Sequence, residues 1–319
     1  MGISSMTRNK TEIDQTMRKS RPKGLSRKHR EWIAAYLFLL PDALGLTLFL
    51  GVPMLFSLAL GFFTVDGFGN FAFAGLANYA KMFTDDQFLI SLRVTLLYVF
   101  VLVPVLFFVS LGLALLVKQK IPFIGVLRSM FFMPYVISLV VVGFVWRFML
   151  TDQIGLINQA LGALHLPIHS WLGDPAFAIW TVILVNVWFG MGYYMIIFLA
   201  GLQDIPREYY EAAYIDGAGG WNSFRHVTWP LLQPTSFFVL LVSVVSSVSG
   251  SQGFDLIYVM TKGGPVQSTS LGIFYIYQQA FQFGNYGYAA AMASFVVGVL
   301  LIATLIMFAV TKGGRFELD

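Results

Sequence analysis

The 319-residue chain is 57% apolar and 11% charged, with a mean hydropathy of +0.74 and a formal net charge of +4. That balance excludes an ordinary soluble domain. The absence of cysteine excludes disulfides, thiolate nucleophiles and Cys-ligated metals. The apolar residues come in runs of about 20 or more, enough for a helix to cross roughly 30 Å of hydrocarbon, and the short alternating segments of a transmembrane barrel are missing. The chain therefore reads as an all-α, multi-pass membrane protein.

A basic tail, residues 1–31, comes first. It has no apolar helical stripe and reads as a topology determinant that touches anionic lipid, with no interleaved aromatic residues to suggest a nucleic-acid partner. The membrane domain follows over residues 32–315, and 316–319 form a short C-terminal end. Six spans are expected near Ile33–Phe62, Val94–Val117, Met130–Leu150, Phe177–Leu199, Ser236–Ile257 and Ala289–Val310. The first run is too long for a signal-peptide core, and Ala72-Phe73-Ala74 lies too far downstream to be its cleavage site, so no removal is expected. Of the 20 Lys and Arg, 16 fall before the first span, between Lys118 and Arg128, in the segment 205–234, or after the last span. The opposite loops hold Lys81 and Lys262, while Arg93 and Arg147 flank spans. The positive-inside rule then places both termini and the segment 205–234 in the cytoplasm.

Catalytic signals are missing. There is no phosphate-loop motif, and Gly263-Gly264 lacks the spacing of one. The four histidines, His29, His165, His169 and His226, are scattered; His165 and His169 stand four apart but without a carboxylate in zinc-site register. Charges at membrane depth are limited to Asp42 and Asp255. A charge in hydrocarbon costs about 2.5–3.5 kcal/mol or more, and ion-coupled carriers retain several. If this chain moves a solute uphill, the energy is expected to come from another subunit.

The polar segment 205–234 interrupts this apolar background. Glu208 to Ile215 has good helix formers with acids in the first turn, favoured by the helix dipole. Pro206 suits the start, and Asp216-Gly217 breaks the helix because Gly tolerates a left-handed turn. Trp221, Asn222 and Ser223 open a second short helix, and Pro230 and Pro234 are expected to end the motif. Tyr209, Tyr210, Tyr214, Trp221 and Phe224 beside a few charges are the composition of a protein–protein hot spot. A helix lying among lipid headgroups is the alternative from composition alone.

Glu211-Ala212-Ala213, followed by Asp216-Gly217-Ala218 and by Val227-Thr228-Trp229-Pro230, resembles the EAA loop of importer-type ABC transporter permeases, with Trp229 departing from the usual I-x-L-P ending. The run Phe254 to Pro265, with Thr269, Tyr275-Ile276-Tyr277, Ala280-Phe281 and Ala289-Ala290, resembles the sugar branch. It is similar to maltose and glycerol-phosphate permeases of the first-subunit type, as is Gly75-Leu76-Ala77-Asn78-Tyr79. The resemblance covers about residues 32 to 315. It implies the type I importer permease fold, a location in the bacterial cytoplasmic (inner) membrane and a non-catalytic role. It also implies as partners a second homologous permease subunit, two ATPase subunits that bind ATP and Mg, and an extracytoplasmic sugar-binding protein. Carried over residue by residue, it makes Glu208, Glu211, Ala212, Ala213, Asp216, Gly217 and Trp221 the ATPase-coupling set. No cofactor is expected in this chain itself.

The fourth and fifth spans carry the candidate solute path. Asn186 is an amide near mid-membrane that needs partners, with Trp188, Gly190, Gly192, Tyr193 and Tyr194 after it. Ser243, Ser247 and Ser251 share one helix face, which either lines a pore or lets helices pack closely while the hydroxyls bond their own backbone. The resemblance assigns Asn186, Gly190, Tyr193, Ser243 and Ser247 as substrate-binding positions. Ser247 and Gly250 replace amides of the maltose-type relatives, which implies a different sugar, larger or more loosely held. Arg93 and Arg147 either attract an anionic sugar or snorkel. The rival readings are a permease for a non-sugar solute such as a phosphodiester, a stand-alone secondary carrier, and a membrane enzyme.

Overall fold

The computed structural model describes residues 27–65, 69–119 and 122–311. The basic tail up to residue 26 and the C-terminal end 316–319 lie outside the described residues. The chain divides into two compact units, Met1–Ser57 and Leu58–Asp319. In the first, α1 (Arg27–Leu46) runs through a π turn at Thr47–Gly51 into α2 (Val52–Leu60). From Trp32 onward it is mostly apolar and exposed, Phe38 and Phe49 among its side chains, a surface suited to lipid rather than water.

The second unit opens with an antiparallel hairpin that the sequence reading missed, β1 (Phe63–Val65) and β2 (Phe71–Phe73), in the register Phe63↔Phe73. Buried Asn78 on α3 (Ala77–Met82) holds it by donating to the carbonyls of Gly61 (3.0 Å) and Phe63 (2.9 Å). Helix α4 (Asp86–Val117) begins two turns before the expected span, because the Asp85 carboxylate caps it by accepting from the N–H of Gln87 and Phe88. Then come α5 (Ile124–Val136), α6 (Leu139–Met149), α7 (Leu156–Ala163) and α8 (Pro175–Asp204), whose N-cap Asp174 accepts from Ala176 N–H. Segment 205–234 holds α9 (Arg207–Ile215), α10 (Gly220–Ser223), a π turn at Phe224–Thr228 and α11 (Trp229–Leu231). The chain finishes with α12 (Gln233–Ser249), α13 (Ser251–Met260), α14 (Gly272–Tyr277), a π turn at Gln278–Gln282 and α15 (Tyr286–Val310).

Among the described residues, four helical stretches are long and apolar enough to cross a membrane: Glu31–Leu60, Asp86–Val117, Pro175–Asp204 and Tyr286–Val310. The expected third span is two helices, α5 and α6, bent by 95°. Pro134, one turn before that break, has no N–H to continue the ladder. The expected fifth span is also divided, because Gly250 is extended between α12 and α13. A second bent pair, Gly220–Leu231 with Gln233–Ser249 (65°), lies at the entry to α12. Counting each of the two bent pairs as one span brings the number among the described residues to as many as six.

The main core forms where α4, α5, α8 and α12 meet, around Tyr98, Leu102, Leu106, Phe107, Val182 and Phe198. Phe107 meets Phe198 edge-on at 5.0 Å, and the Ser110 hydroxyl donates to Met191 O across the α4–α8 contact (3.1 Å). A second cluster gathers Met82, Phe88, Tyr275, Tyr288 and Met292 around a polar knot. There Tyr275 and Tyr288 both donate to Asp85 Oδ2 (2.9 and 2.7 Å), and Gln279 Nε2 donates to the Tyr275 hydroxyl (2.8 Å). Burial alone raises the Asp85 pKa, but the two phenols and two backbone N–H groups outweigh it and hold the carboxyl below its ordinary value. Burial first, and then this carboxylate, push Tyr275 up to about 12.

Because the folded-state pKa of Asp85 is depressed, its stabilisation is full above the ordinary value of 3.8 and is lost as pH falls through the lower folded value. Asp85→Ala is expected to cost about 0.5–2 kcal/mol from the helix cap alone, and Asp85→Asn to flatten the acid limb. Thermal unfolding of the detergent-solubilised protein from pH 6 downward checks both, and an acid limb unchanged in Asp85→Asn would sink this assignment.

Candidate functional site

Two regions hold the residues singled out by sequence. The first is the loop helix α9. Its C-terminus closes in a Schellman arrangement: Gly217 sits at φ +75°, Ala218 N–H reaches Ala213 O (2.9 Å) and Gly217 N–H reaches Tyr214 O (3.0 Å). The expected break at Asp216-Gly217 is thus present, with its mechanism. Pro230 and Pro234, expected to end the motif, instead stand in the first turns of α11 and α12, where a missing N–H costs nothing.

The exposed face of this loop carries Glu208, Glu211, Ala212, Asp216, Gly217 and Trp221, with Ala213 half-buried. A hollow of ≈ 350 Å³ is lined by Arg207, Tyr210, Glu211, Tyr214 and Ile215. Tyr214 and Ile215 are more than four-fifths exposed, and Trp221, stacked on Phe224 at 5.7 Å, is 70% exposed. Large apolar side chains held out on a polar loop have the composition of a contact surface.

The second region lies among the long helices. Asn186 on α8 is 1% exposed, and its Nδ2 donates to the Tyr98 hydroxyl on α4 at 2.7 Å. Asn186 Oδ1 has no partner, which in a buried site leaves an acceptor unmatched. Tyr193, two turns on, stacks on Tyr135 of α5 with centroids 4.5 Å apart and rings 11° from parallel. Gln252 lies near the Tyr135 hydroxyl and Ser246 near that of Tyr194. Both partners flank the Gly250 break, and Tyr135 stands just before the α5–α6 break. Each helix interruption therefore has a polar–aromatic pair beside it.

The remaining positions are placed differently. Ser243 and Ser247 are buried, and their hydroxyls donate within α12, to Leu240 O (2.9 Å) and Ser243 O (2.6 Å). Of the two readings open for these serines, their geometry matches the one in which hydroxyls satisfy their own helix. Gly190 lies against Leu106, and Gly192 lets the α5 backbone come close at the Phe131 carbonyl. Arg147 donates to Val259 O at 3.1 Å, near the end of α13. Tyr98 and Tyr135 went unnoticed in the sequence; the available signal was that a mid-span amide such as Asn186 requires a partner from a neighbouring span.

Residues 109–313 match the family described as Binding-protein-dependent transport system inner membrane component. Over 281 residues the chain is 36% identical to the probable ABC transporter permease protein YesP of Bacillus subtilis, covering 86% of this chain and 89% of that protein. It is 31% identical to the trehalose/maltose transport system permease protein MalF of Thermococcus litoralis, over 92% of this chain and 97% of that one. A crystal structure of a bacterial alginate ABC transporter in complex with an alginate pentasaccharide-bound periplasmic protein contains a chain of the same fold. Its TM-score is 0.78 at 24% identity, over 89% of this chain and 95% of that one. The chain belongs to the family of inner-membrane components of binding-protein-dependent transport systems.

The two glycines of α8 should respond differently to the same change. A Cβ at Gly192 meets the Phe131 carbonyl and, at 2.8 Å, Phe132 Cα, both backbone, whereas at Gly190 the nearest atom is Leu106 Cδ1 at 3.3 Å, a side-chain end. Gly192→Ala is expected to cost about 1–3 kcal/mol as overpacking, Gly190→Ala distinctly less. Folded yield and thermal unfolding in detergent measure the difference, and equal losses would contradict the close α5–α8 approach.

Proposed function

We propose that this chain is the transmembrane pore-forming subunit of an ATP-driven, binding-protein-dependent importer of a sugar, with six spans and both termini and the loop 205–234 in the cytoplasm. The single observation that carries the reading is loop helix α9. It is an ordered motif displaying Glu211, Tyr214, Ile215 and Trp221 outward, on a chain whose membrane segments hold too few charges to drive transport themselves. The partners are a second homologous permease, two ATPase subunits that hold ATP and Mg, and an extracytoplasmic sugar-binding protein. The ATPases close on ATP, their cleft carries the coupling set with it, and the spans turn between outward- and inward-open arrangements. The chemistry of ATP hydrolysis stays in the partner, so this chain supplies geometry alone.

Sugar as the substrate class is supported by the trehalose/maltose name of a full-length relative and by the site's chemistry. The stacked phenols Tyr135 and Tyr193 offer ring faces for a pyranose, and the unmatched Asn186 Oδ1 is an acceptor for a hydroxyl. Ser243 and Ser247 remain in the proposed binding set on the reading that their hydroxyls turn from backbone to sugar when α12 shifts. Arg147 is tied to a backbone carbonyl, so an anionic substrate gains no argument from it.

The assembled transporter, offered trehalose, maltose, lactose, sn-glycerol 3-phosphate and alginate oligosaccharides, should hydrolyse ATP faster with at least one of them. Glu211→Lys is expected to remove that stimulation together with transport, and its survival would end the coupling assignment. Asn186→Ala is expected to weaken uptake of the accepted sugar by about two- to tenfold, the range of one neutral hydrogen bond. Unchanged affinity and sugar preference would remove Asn186 from the site.

A further inference from the structure

Tyr210 on the loop helix is half-buried and lies about 200° around the helix from Glu208. Its hydroxyl accepts from Lys118 Nζ at 3.0 Å and lies 3.0 Å from Thr228 Oγ1, while the same ammonium stands 4.4 Å from its ring centroid. Lys118 is the residue that ends α4. Thr228, 4% exposed, closes the π turn at Phe224–Thr228 and leads through α11 into α12. One phenol therefore joins three elements: the loop helix, the end of the second span and the entry to the fifth. Arg128 strengthens the same corner by donating to Val117 O at 2.8 Å.

The middle of α4 meets the candidate sugar site at Tyr98. Twenty residues of helix, about 30 Å, separate Lys118 from Tyr98, the partner of Asn186. Between them α4 is locked to α8 by Ser110 on Met191 O and by Phe107 on Phe198. A displacement of the loop helix held at Tyr210 must therefore move α4 and the base of α12 together.

We infer that Tyr210 is a positioning residue for transport: its Lys118–Tyr210–Thr228 latch transmits movement of the loop helix to the second and fifth spans. The inference rests on the importer reading above and assigns the transmission to a residue outside the outward-facing coupling set. Neither a docking contact nor a sugar contact is required of it. The hydroxyl is the essential part, since the ring alone would keep its packing and its cation–π contact with Lys118 but release Thr228.

The cysteine-free chain permits a direct test. Ser249→Cys places a single thiol on an exposed side chain beside the Gly250 break, in a hollow lined also by Phe254 and Tyr277. The assembled transporter in nanodiscs is treated with a membrane-impermeant maleimide, without nucleotide and with ATP, Mg and vanadate. With Tyr210 intact, the two labelling rates are expected to differ severalfold. In Tyr210→Phe their ratio is expected to collapse by at least about threefold, the scale of one hydrogen bond, while ATP hydrolysis continues. Thr228→Val should reproduce the effect and Thr228→Ser restore the ratio, which a merely stabilising hydroxyl would not predict. An undiminished ratio in both Tyr210→Phe and Thr228→Val overturns the latch. Equal rates with Tyr210 intact, or a full ratio in Glu211→Lys, would instead overturn the importer reading on which it rests.

Discussion

Everything in this fold follows from the absence of water around the long helices. A buried polar group there either finds a partner within the protein or remains unmatched. Asn186 and Tyr98 meet at 2.7 Å for that reason, and Ser110 reaches across to a backbone carbonyl on α8 for the same one. Apolar side chains gain little from association when lipid is as apolar as they are. The register of α4 on α8 is therefore set by these few polar contacts and by close approaches such as Gly190 at Leu106. The surrounding Leu, Val and Phe fill the space that such contacts define.

That constraint also bears on how force travels through the protein. Charges at membrane depth are few, and in the proposed reading the conformational change arrives mechanically from the partner ATPases. A helix of 32 residues without a π turn suits transmission, and α4 is such a helix, with Pro104 inside it and caps at both ends. The other elements are interrupted: α5 and α6 part after Pro134, α12 and α13 part at Gly250, and the polar segment ends in a π turn. In the proposed cycle the interruptions are the places that bend, while the contacts between α4 and α8 keep that pair together.

The composition made the helical membrane class legible, and the polar segment 205–234 was legible in detail, because its signals are local: acids in the first turn, Gly217 at the turn, an aromatic residue opening the next helix. Long-range pairings were not legible. Nothing near Asn186 in sequence names Tyr98, 88 residues away, and nothing near Asp85 names Tyr275 and Tyr288. The α5–α6 bend was missed because an apolar run of the right length looks the same straight or broken, and Pro134 is tolerated in membrane helices. The hairpin at β1 and β2 had a signal that went unused, since Asp66-Gly67 and Gly69-Asn70 separate two aromatic triplets, the sequence pattern of a tight connection.

The serines show how the same residues support two chemistries. Their four-residue spacing along α12 is what a pore-lining stripe needs, yet it equally lets each hydroxyl reach the carbonyl one turn back, and Ser247 on Ser243 O at 2.6 Å takes that option. The breaks are more discriminating. Non-helical backbone at membrane depth persists only where protein surrounds it or a water-filled path runs beside it. Tyr135 and Gln252 lie near one another beside the two breaks, and in the proposed reading freed carbonyls and phenols there face the solute. Recognition in the proposed path therefore rests more on phenols and amides at the breaks than on the serine stripe, and a sugar, with ring faces to stack and hydroxyls to bond, matches that surface.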